Sequence, residues 1–347
     1  MRVLAALDKF RGTVSAREAT AAVAGACWEL GLDVDEAPMS DGGEGILDVL
    51  GGANRTSRVS GPLGRPVDAA WRFDGRTAVI EMARASGLEL AGGPAGNDPL
   101  AASTDGTGQL ISRAAEQGAR TILVGLGGSA TTDGGLGALT AIRSPSRLRA
   151  VNLQVACDVQ TRFVDAARVF AAQKGATSAQ VGLLTARLQR LADDYLTTYG
   201  VDVRDIDGTG AAGGLAGALL AVGGTLVGGF DLVADHVELA DRLDAADIVV
   251  TGEGYLDAQS LSGKVVGGVC DLAMAAGVPV VVIAGNVDAD ARDALLALGT
   301  VRSPITVTSL VERFGERRPF DEPSWCIESV ARVELDALDR RSDSGRG

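Results

Sequence analysis

Thr251-Gly-Glu-Gly-Tyr-Leu-Asp-Ala-Gln-Ser-Leu-Ser-Gly-Lys264 is the stretch on which the reading of this chain turns. An apolar strand candidate, Ile248-Val-Val-Thr251, leads into it, and a helix candidate over 263–276 leads out of it. Between them stand two carboxylates (Glu253, Asp257), an amide (Gln259), two hydroxyls (Ser260, Ser262) and an ammonium (Lys264), spaced by small residues. A loop that leaves a parallel strand and opens a helix presents unpaired N–H groups, which suits an anion. Carboxylates beside such an anion site point to a divalent cation. Phosphate with magnesium is the first reading. A capped helix start with a solvated acidic turn is the alternative.

The flanking sequence carries the same alternation. Arg2–Leu7 reads as a strand ending in Asp8-Lys-Phe-Arg11, and Ser15 with Glu18 has capping-box spacing ahead of a helix to about Leu30. Val34–Ala37 reads as a strand leading to Ser40-Asp41-Gly-Gly-Glu44-Gly45 and a further helix. On the C-terminal side, Leu232–Leu243 reads as helix, Pro279–Ala284 as strand, Ala289–Leu298 as helix and Ile305–Thr308 as strand. Charged loops at strand ends are where a doubly wound sheet places its ligand.

The middle is more mixed. Ala69–Phe73 and Thr77–Met82 read as antiparallel strands with a hairpin at Asp74-Gly75. Ser178 reads as the cap of a long helix whose stripe of Val181, Leu184, Leu188, Leu191 and Tyr195 faces a core. The expected fold class is α/β with two α/β domains. One is Rossmann-like with a parallel sheet, formed by 1–58 plus 230–347, and the other is a mixed α/β domain, 59–229, inserted into it.

Composition narrows the function. With 45 Asp and Glu against 32 Lys and Arg, and a formal charge of -13, the chain is a poor partner for nucleic acid. Aromatics at 4% and 47 glycines suit strand-to-helix turns rather than a β-sandwich. Cys27, Cys157, Cys270 and Cys326 have no CxxC spacing and read as reduced thiols of a cytoplasmic protein. The one His236 removes HExxH and weakens any His-based triad. The uncharged run 210–230 is interrupted by eight glycines and reads as buried helix, turn and strand rather than a membrane span.

Known nucleotide motifs fit badly. There is no Walker A sequence, because Gly263-Lys264 lacks the earlier glycine. Gly125-x-Gly127-x-x-Ala130 follows a strand, but the acidic residue a dinucleotide fingerprint needs about 20 positions later is absent. That loop instead holds Gly127, Gly128, Ser129, Thr131, Thr132 and Asp133, again suited to phosphate and metal. Strand-end carboxylates (Asp8, Asp41, Glu44, Asp133, Asp158, Glu253, Asp257) with cations (Lys9, Arg11, Lys174, Lys264) make up the inventory of phosphoryl transfer.

Asp8-Lys-Phe-Arg-Gly-Thr-Val-Ser-Ala16, Pro38-Met-Ser-Asp-Gly-Gly-Glu-Gly45, Glu81-Met-Ala-Arg-Ala-Ser-Gly-Leu88, Gly127–Gly135, Ala156-Cys-Asp-Val159, Gln173-Lys-Gly-Ala-Thr177, Gly210-Ala-Ala-Gly-Gly-Leu215 and the opening stretch occur in this order. Together they resemble the type 1 glycerate kinase family of bacteria, over about residues 1 to 310. The resemblance implies ATP- and Mg2+-dependent phosphorylation of D-glycerate to phosphoglycerate, the 2-phosphate above all, at an active site between two domains. The chain departs from the family at Lys9 and Arg11, after Ala141 where family residues are missing, at Thr161-Arg-Phe163 and at Phe170-Ala-Ala-Gln-Lys174.

On this reading Asp158, Asp8, Arg11 and Lys174 are the catalytic candidates. Asp158 is the expected base, because Lys9 and Arg11 should depress the Asp8 pKa. Arg11 and Lys174 would neutralise the substrate carboxylate or the moving phosphoryl group. Gly127, Gly128, Ser129, Gln259, Ser260 and Lys264 would hold nucleotide, Asp133, Glu253 and Asp257 the metal, and Asp41, Glu44 and Arg147 the substrate. The expected partners are glycerate and a nucleotide, with no nucleic acid and no membrane, and a homodimer stays open. Two alternatives remain: a kinase-like protein that binds an acid or nucleotide without turnover or acts on a related hydroxy acid, and a nicotinamide enzyme using the Gly125 loop.

Overall fold

The computed structural model describes all residues except Arg11, 143–147, Ser262 and 345–347, so expectations on Arg11, Arg147 and Ser262 lie outside the described residues. In chain order the strands are β1 (Arg2–Leu7), β2 (Asp33–Glu36), β3 (Arg55–Ser60), β4 (Pro66–Phe73), β5 (Thr77–Glu81) and β6 (Thr121–Gly125). They continue as β7 (Asn152–Ala156), β8 (Thr225–Val227), β9 (Ile248–Leu256), β10 (Val280–Val287) and β11 (Ile305–Ser309). The chain divides into two units, Met1–Asp41 with Phe230–Gly347, and Gly42–Gly229.

The first unit holds a five-stranded sheet of order β11-β10-β9-β1-β2, parallel throughout. Read from the other edge, the chain runs outward from β1 to β2 and then restarts at β9 on the far side of β1. This is the doubly wound order with its switch point between β1 and β9, the place where such sheets bind ligands. Val3, Leu4, Ala5, Ala6 and Leu7 are all fully buried, as a central parallel strand covered on both faces requires. The helix Ala16–Leu30 starts at the Ser15–Glu18 capping box and packs Ala19, Val23 and Cys27 into the core with Val250, Val281, Ile327 and Val330.

The second unit is built on a six-stranded sheet, β3-β4-β5-β6-β7-β8. β3, β4 and β5 are antiparallel neighbours and the remaining pairs are parallel. The hairpin at Asp74 is tied by its Oδ1, which accepts from the N–H groups of Arg76 and Thr77 at 2.8 and 2.7 Å. Trp71, Ile80, Leu110, Ile122, Val155 and Leu215 form its core. Leu184, Leu188, Leu191 and Tyr195 of the helix Ser178–Tyr199 form a second cluster with Phe163.

Four sequence expectations need correction. Residues 42–58 belong to the second unit, because the Gly45 and Leu47 N–H groups are held by Glu81 Oε2 at 3.0 and 3.4 Å and β3 pairs with β4. The central strand does not end at Thr251: β9 continues to Leu256, held by Ala284, Asn286 and Val287 of β10, so Glu253 stands on a strand. The helix expected over 232–243 is two, Gly229–His236 and Leu239–Asp244, broken where Glu238 takes φ 55. The long helix is capped by Thr177 with Gln180, one residue earlier than Ser178. Cys27, Cys157, Cys270 and Cys326 are free thiols, His236 is exposed, and no described helix is long and apolar enough to cross a membrane.

The run Gly210–Leu215 contains an unusual turn. Ala212, Gly213 and Gly214 are all left-handed, at φ 52, 67 and 96. A methyl group at Gly213 would lie 2.0 Å from the Thr131 carbonyl oxygen and 2.6 Å from Thr132 Cα. Gly213→Ala is therefore expected to cost about 2–5 kcal/mol from left-handed strain plus overpacking, read as a lowered Tm. Gly223→Ala, at φ +99 with nothing within 4 Å, should cost only about 1–2 kcal/mol of backbone strain. Equal losses would remove the close-packing account.

Candidate functional site

The first unit gathers its chemistry at the switch point. Asp8 follows β1 directly, and its N–H donates to the Gly252 carbonyl of β9 at 2.9 Å, so the β1–β9 register fixes where its carboxylate lies. Lys9 Nζ is 3.8 Å from Asp8 Oδ1 and 3.6 Å from Asp41 Oδ1. Glu253 lies one residue beyond Gly252 on β9, and its Oε1 is buried with no hydrogen-bond partner among the described residues. Lys264 occupies the cap position of the helix Val265–Ala276, and its charge acts on both carboxyl groups.

Burial decides the electrostatics. It raises the Asp8 pKa to about 6, against the lowering effects of Lys9 and Lys264 and with help from Asp41. It raises Glu253 to about 7, where the Ser260 hydroxyl and Lys264 pull down and the Asp8 and Asp257 charges push up. The expected depression of Asp8 by its sequence neighbours is thus reversed, because desolvation outweighs them. A buried and a half-buried carboxyl group with raised pKa values, one of them with an unpartnered buried oxygen, are hard oxygen donors suited to a divalent cation. Among the described residues no group of three or more His, Cys, Asp or Glu is placed to hold a metal alone.

The loop after β9 is self-organised. Asp257 Oδ1 accepts from the N–H groups of Gln259 and Ser260 at 2.8 and 3.1 Å and from Ser260 Oγ at 3.3 Å. Asp257 therefore shapes the turn that brings in Lys264, while Gln259 is exposed. Gly268 allows the next helix to approach, since a methyl there would meet the Phe230 ring at 2.2 Å.

The second unit holds the other expected residues. Asp133 is buried, and its two oxygens accept four hydrogen bonds: Thr104 N–H and Oγ1, both at 2.8 Å, Gly135 N–H at 3.0 Å and Gly137 N–H at 3.2 Å. Three of these bonds fall on Oδ2 and one on Oδ1, so Asp133 anchors the start of the helix Leu136–Ala141 to Thr104. Lys174 is also buried, and its Nζ donates to Ser129 Oγ and the Thr131 carbonyl, each at 2.7 Å. Two of its three N–H donors are thus held by protein oxygens. Asp158 follows β7, and its Oδ1 accepts from the Gly229 N–H at 2.6 Å.

Gly127 and Gly128 serve close approach. Methyl groups there would meet the Glu44 N at 2.5 Å and its Oε1 at 1.9 Å. Glu44 thus lies directly on the Gly127–Ser129 loop, and Glu81 holds its segment in place from below. Glu81, Thr104 and Asn97 are the residues that sequence reasoning passed over. Glu81 opens one of the quoted motifs, but Thr104 and Asn97 have no motif around them. Asn97 Nδ2 joins the Ala130 and Lys174 carbonyls at 3.0 and 2.9 Å.

Comparison with known proteins agrees with this arrangement. The family model described as "Glycerate kinase family" matches residues 3–144 and 141–313. An uncharacterized protein of Mycobacterium bovis is 45% identical over 317 residues, covering 86% of this chain and 82% of that protein. The glycerate 2-kinase of Escherichia coli K12 is 37% identical over 331 residues, covering 84% and 86%. The crystal structure of "putative glycerate kinase 2" from Salmonella typhimurium LT2 superimposes with a TM-score of 0.81 at 32% identity, over 99% of both chains. The chain therefore belongs to the glycerate kinase family and is a kinase.

Proposed function

We propose that this kinase transfers the γ-phosphoryl group of ATP, with Mg2+, to a hydroxyl of D-glycerate, and that the product is 2-phosphoglycerate. The observation that carries the donor and metal side is buried Asp8 with half-buried Glu253 at the switch point of a parallel sheet, with Lys9 and Lys264 beside them. Asp8 and Glu253 would hold the Mg2+. Bound there, the ion would neutralise charge on the phosphoryl oxygens. Lys264, with the N–H groups of the first turn of its twelve-residue helix, suits phosphate. Asp257 keeps that turn in shape, and Lys9 orients Asp8 and Asp41. The product assignment follows the name of the Escherichia coli relative.

Asp158 is the proposed proton acceptor for the glycerate hydroxyl. The Gly229 N–H fixes one of its oxygens, and a loose transition state asks little of a base. Measurement of ADP release with glycerate, tartronate and related sugar acids, with phosphorus NMR of the product, tests the reaction. Absence of turnover with every acid, despite measurable nucleotide binding, would favour a binding protein instead.

Asp158→Asn is expected to lower kcat by roughly 10²–10⁴-fold with nucleotide affinity little changed. A near-normal kcat at saturating glycerate and MgATP would pass the role to Asp8. Asp8→Asn and Glu253→Gln should each raise the Mg2+ concentration needed for half-maximal rate, whereas Asp133→Asn should lower Tm and leave that concentration unchanged. Lys264→Met should weaken nucleotide binding with little change in Tm. A large loss of Tm with binding intact would make Lys264 structural.

A further inference from the structure

Lys174 lies at the end of a single turn, Ala172–Lys174, closed by Gly175 at φ +92. A methyl group at Gly175 would meet the Pro94 carbonyl oxygen at 2.2 Å, so the turn is pressed against the helix Gly93–Gly96. Asn97 ties it further to the Ser129 loop through the Lys174 and Ala130 carbonyls. The Lys174 amine is thus held in a fixed place, and it touches two oxygens of different kinds. The Thr131 carbonyl can only accept, whereas the Ser129 hydroxyl has one proton to give and lone pairs to receive. While Lys174 is an ammonium it donates to both oxygens, and Ser129 must turn its own proton elsewhere. Among the described residues no carboxylate comes within ion-pairing distance of Lys174, so a buried positive charge stands behind that hydroxyl.

We infer that Lys174 is a positioning residue acting through Ser129: it aims the Ser129 hydroxyl proton at an anionic oxygen of the bound ligand and places a positive charge behind it. The inference rests on the kinase reading above. It identifies the ligand group as a carboxylate or phosphoryl oxygen, supplied by the hydroxy acid or by the nucleotide.

The charge state of the amine supports this geometry. Burial lowers the Lys174 pKa to about 7, opposed by the Asp133 carboxylate. Of the elements packed against the turn, the helix Gly93–Gly96 has no charged side chain, and the helix Ala166–Phe170 has only Arg168, which is exposed and paired with Asp165 at 3.7 Å. Below that pKa the ammonium turns the Ser129 proton outward. Above it the neutral amine takes the Ser129 proton as an acceptor, and the outward donor is lost. Affinity for the anion should therefore fall as pH rises through this range, and ligand binding should take up a proton there.

The test uses the full chain, with glycerate and MgATP varied separately on both sides of pH 7. Ser129→Ala and Lys174→Met should each raise KM for the same ligand by roughly 10–100-fold, the loss of a hydrogen bond to a charged group. A change confined to glycerate identifies the carboxylate as the partner, and one confined to MgATP identifies a phosphoryl oxygen. The double variant should be no worse than either single one, and the alkaline loss of affinity should vanish in both. Calorimetric binding of glycerate and of ATP makes the same comparison without turnover, so an inactive wild type overturns the kinase reading and still leaves this inference testable. If Lys174→Met fails to fold, Ser129→Ala and its pH profile decide. Unchanged KM and unchanged pH dependence in Ser129→Ala, by kinetics and by calorimetry, overturn the proposal.

Discussion

Two carboxyl groups largely withdrawn from water at the break in a parallel sheet set the terms for the first unit. Taking an ionised carboxylate out of water costs several kcal/mol unless partners compensate for it. At Asp8 and Glu253 the compensation is incomplete: Lys9 and Lys264 lower both or one of the pKa values, and burial still wins. Neither residue can move away from this conflict. The β1–β9 register places Asp8 against Gly252, and the pairing of Glu253 with Ala284 keeps Glu253 on its strand. A sheet that holds two acidic groups in this state stores a demand for positive charge at its ligand-binding edge. On the proposed function, magnesium with phosphate would meet that demand.

The second unit handles its buried charges in the opposite way. Asp133 receives four hydrogen bonds from Thr104, Gly135 and Gly137 and uses them to organise a helix start and the loop before it. Lys174 donates to Ser129 and to the Thr131 carbonyl. The loop Gly127–Gly135 is therefore rigid on one side through Asp133, on another through Lys174 and Asn97, and along its backbone through Gly213, where only glycine fits. Such a loop can present a hydroxyl in one orientation, because Asp133, Lys174 and the Asn97 Nδ2 hold it at several points. A satisfied carboxylate builds a site, whereas an unsatisfied one invites a ligand.

The same chemical residue thus carries different meaning in the two units, and that limits function reading from strand-end carboxylates alone. Asp8, Asp133 and Glu253 look alike as acidic residues near glycine. Counting hydrogen-bond donors around each separates them. The family relationship fixes the class of reaction, and this count indicates which carboxylates are available for it.

The sequence by itself determined the alternation of strands and helices in the first unit, the Ser15–Glu18 cap, the hairpin at Asp74 and the core stripe of the helix Ser178–Tyr199, because each depends on residues close together in the chain. Ordered motifs also identified the family, since eight loops in sequence are far more specific than any one. Tertiary structure alone decided three matters. β9 runs on to Leu256 because β10 offers partners that a local pattern does not reveal. Asp133 is a structural anchor because Thr104, 29 residues earlier, folds onto it. Asp8 has a raised pKa, although its chain neighbours include Lys9 and Arg11, because the dielectric around a carboxyl group is set by everything packed near it in space and its immediate sequence supplies only a part.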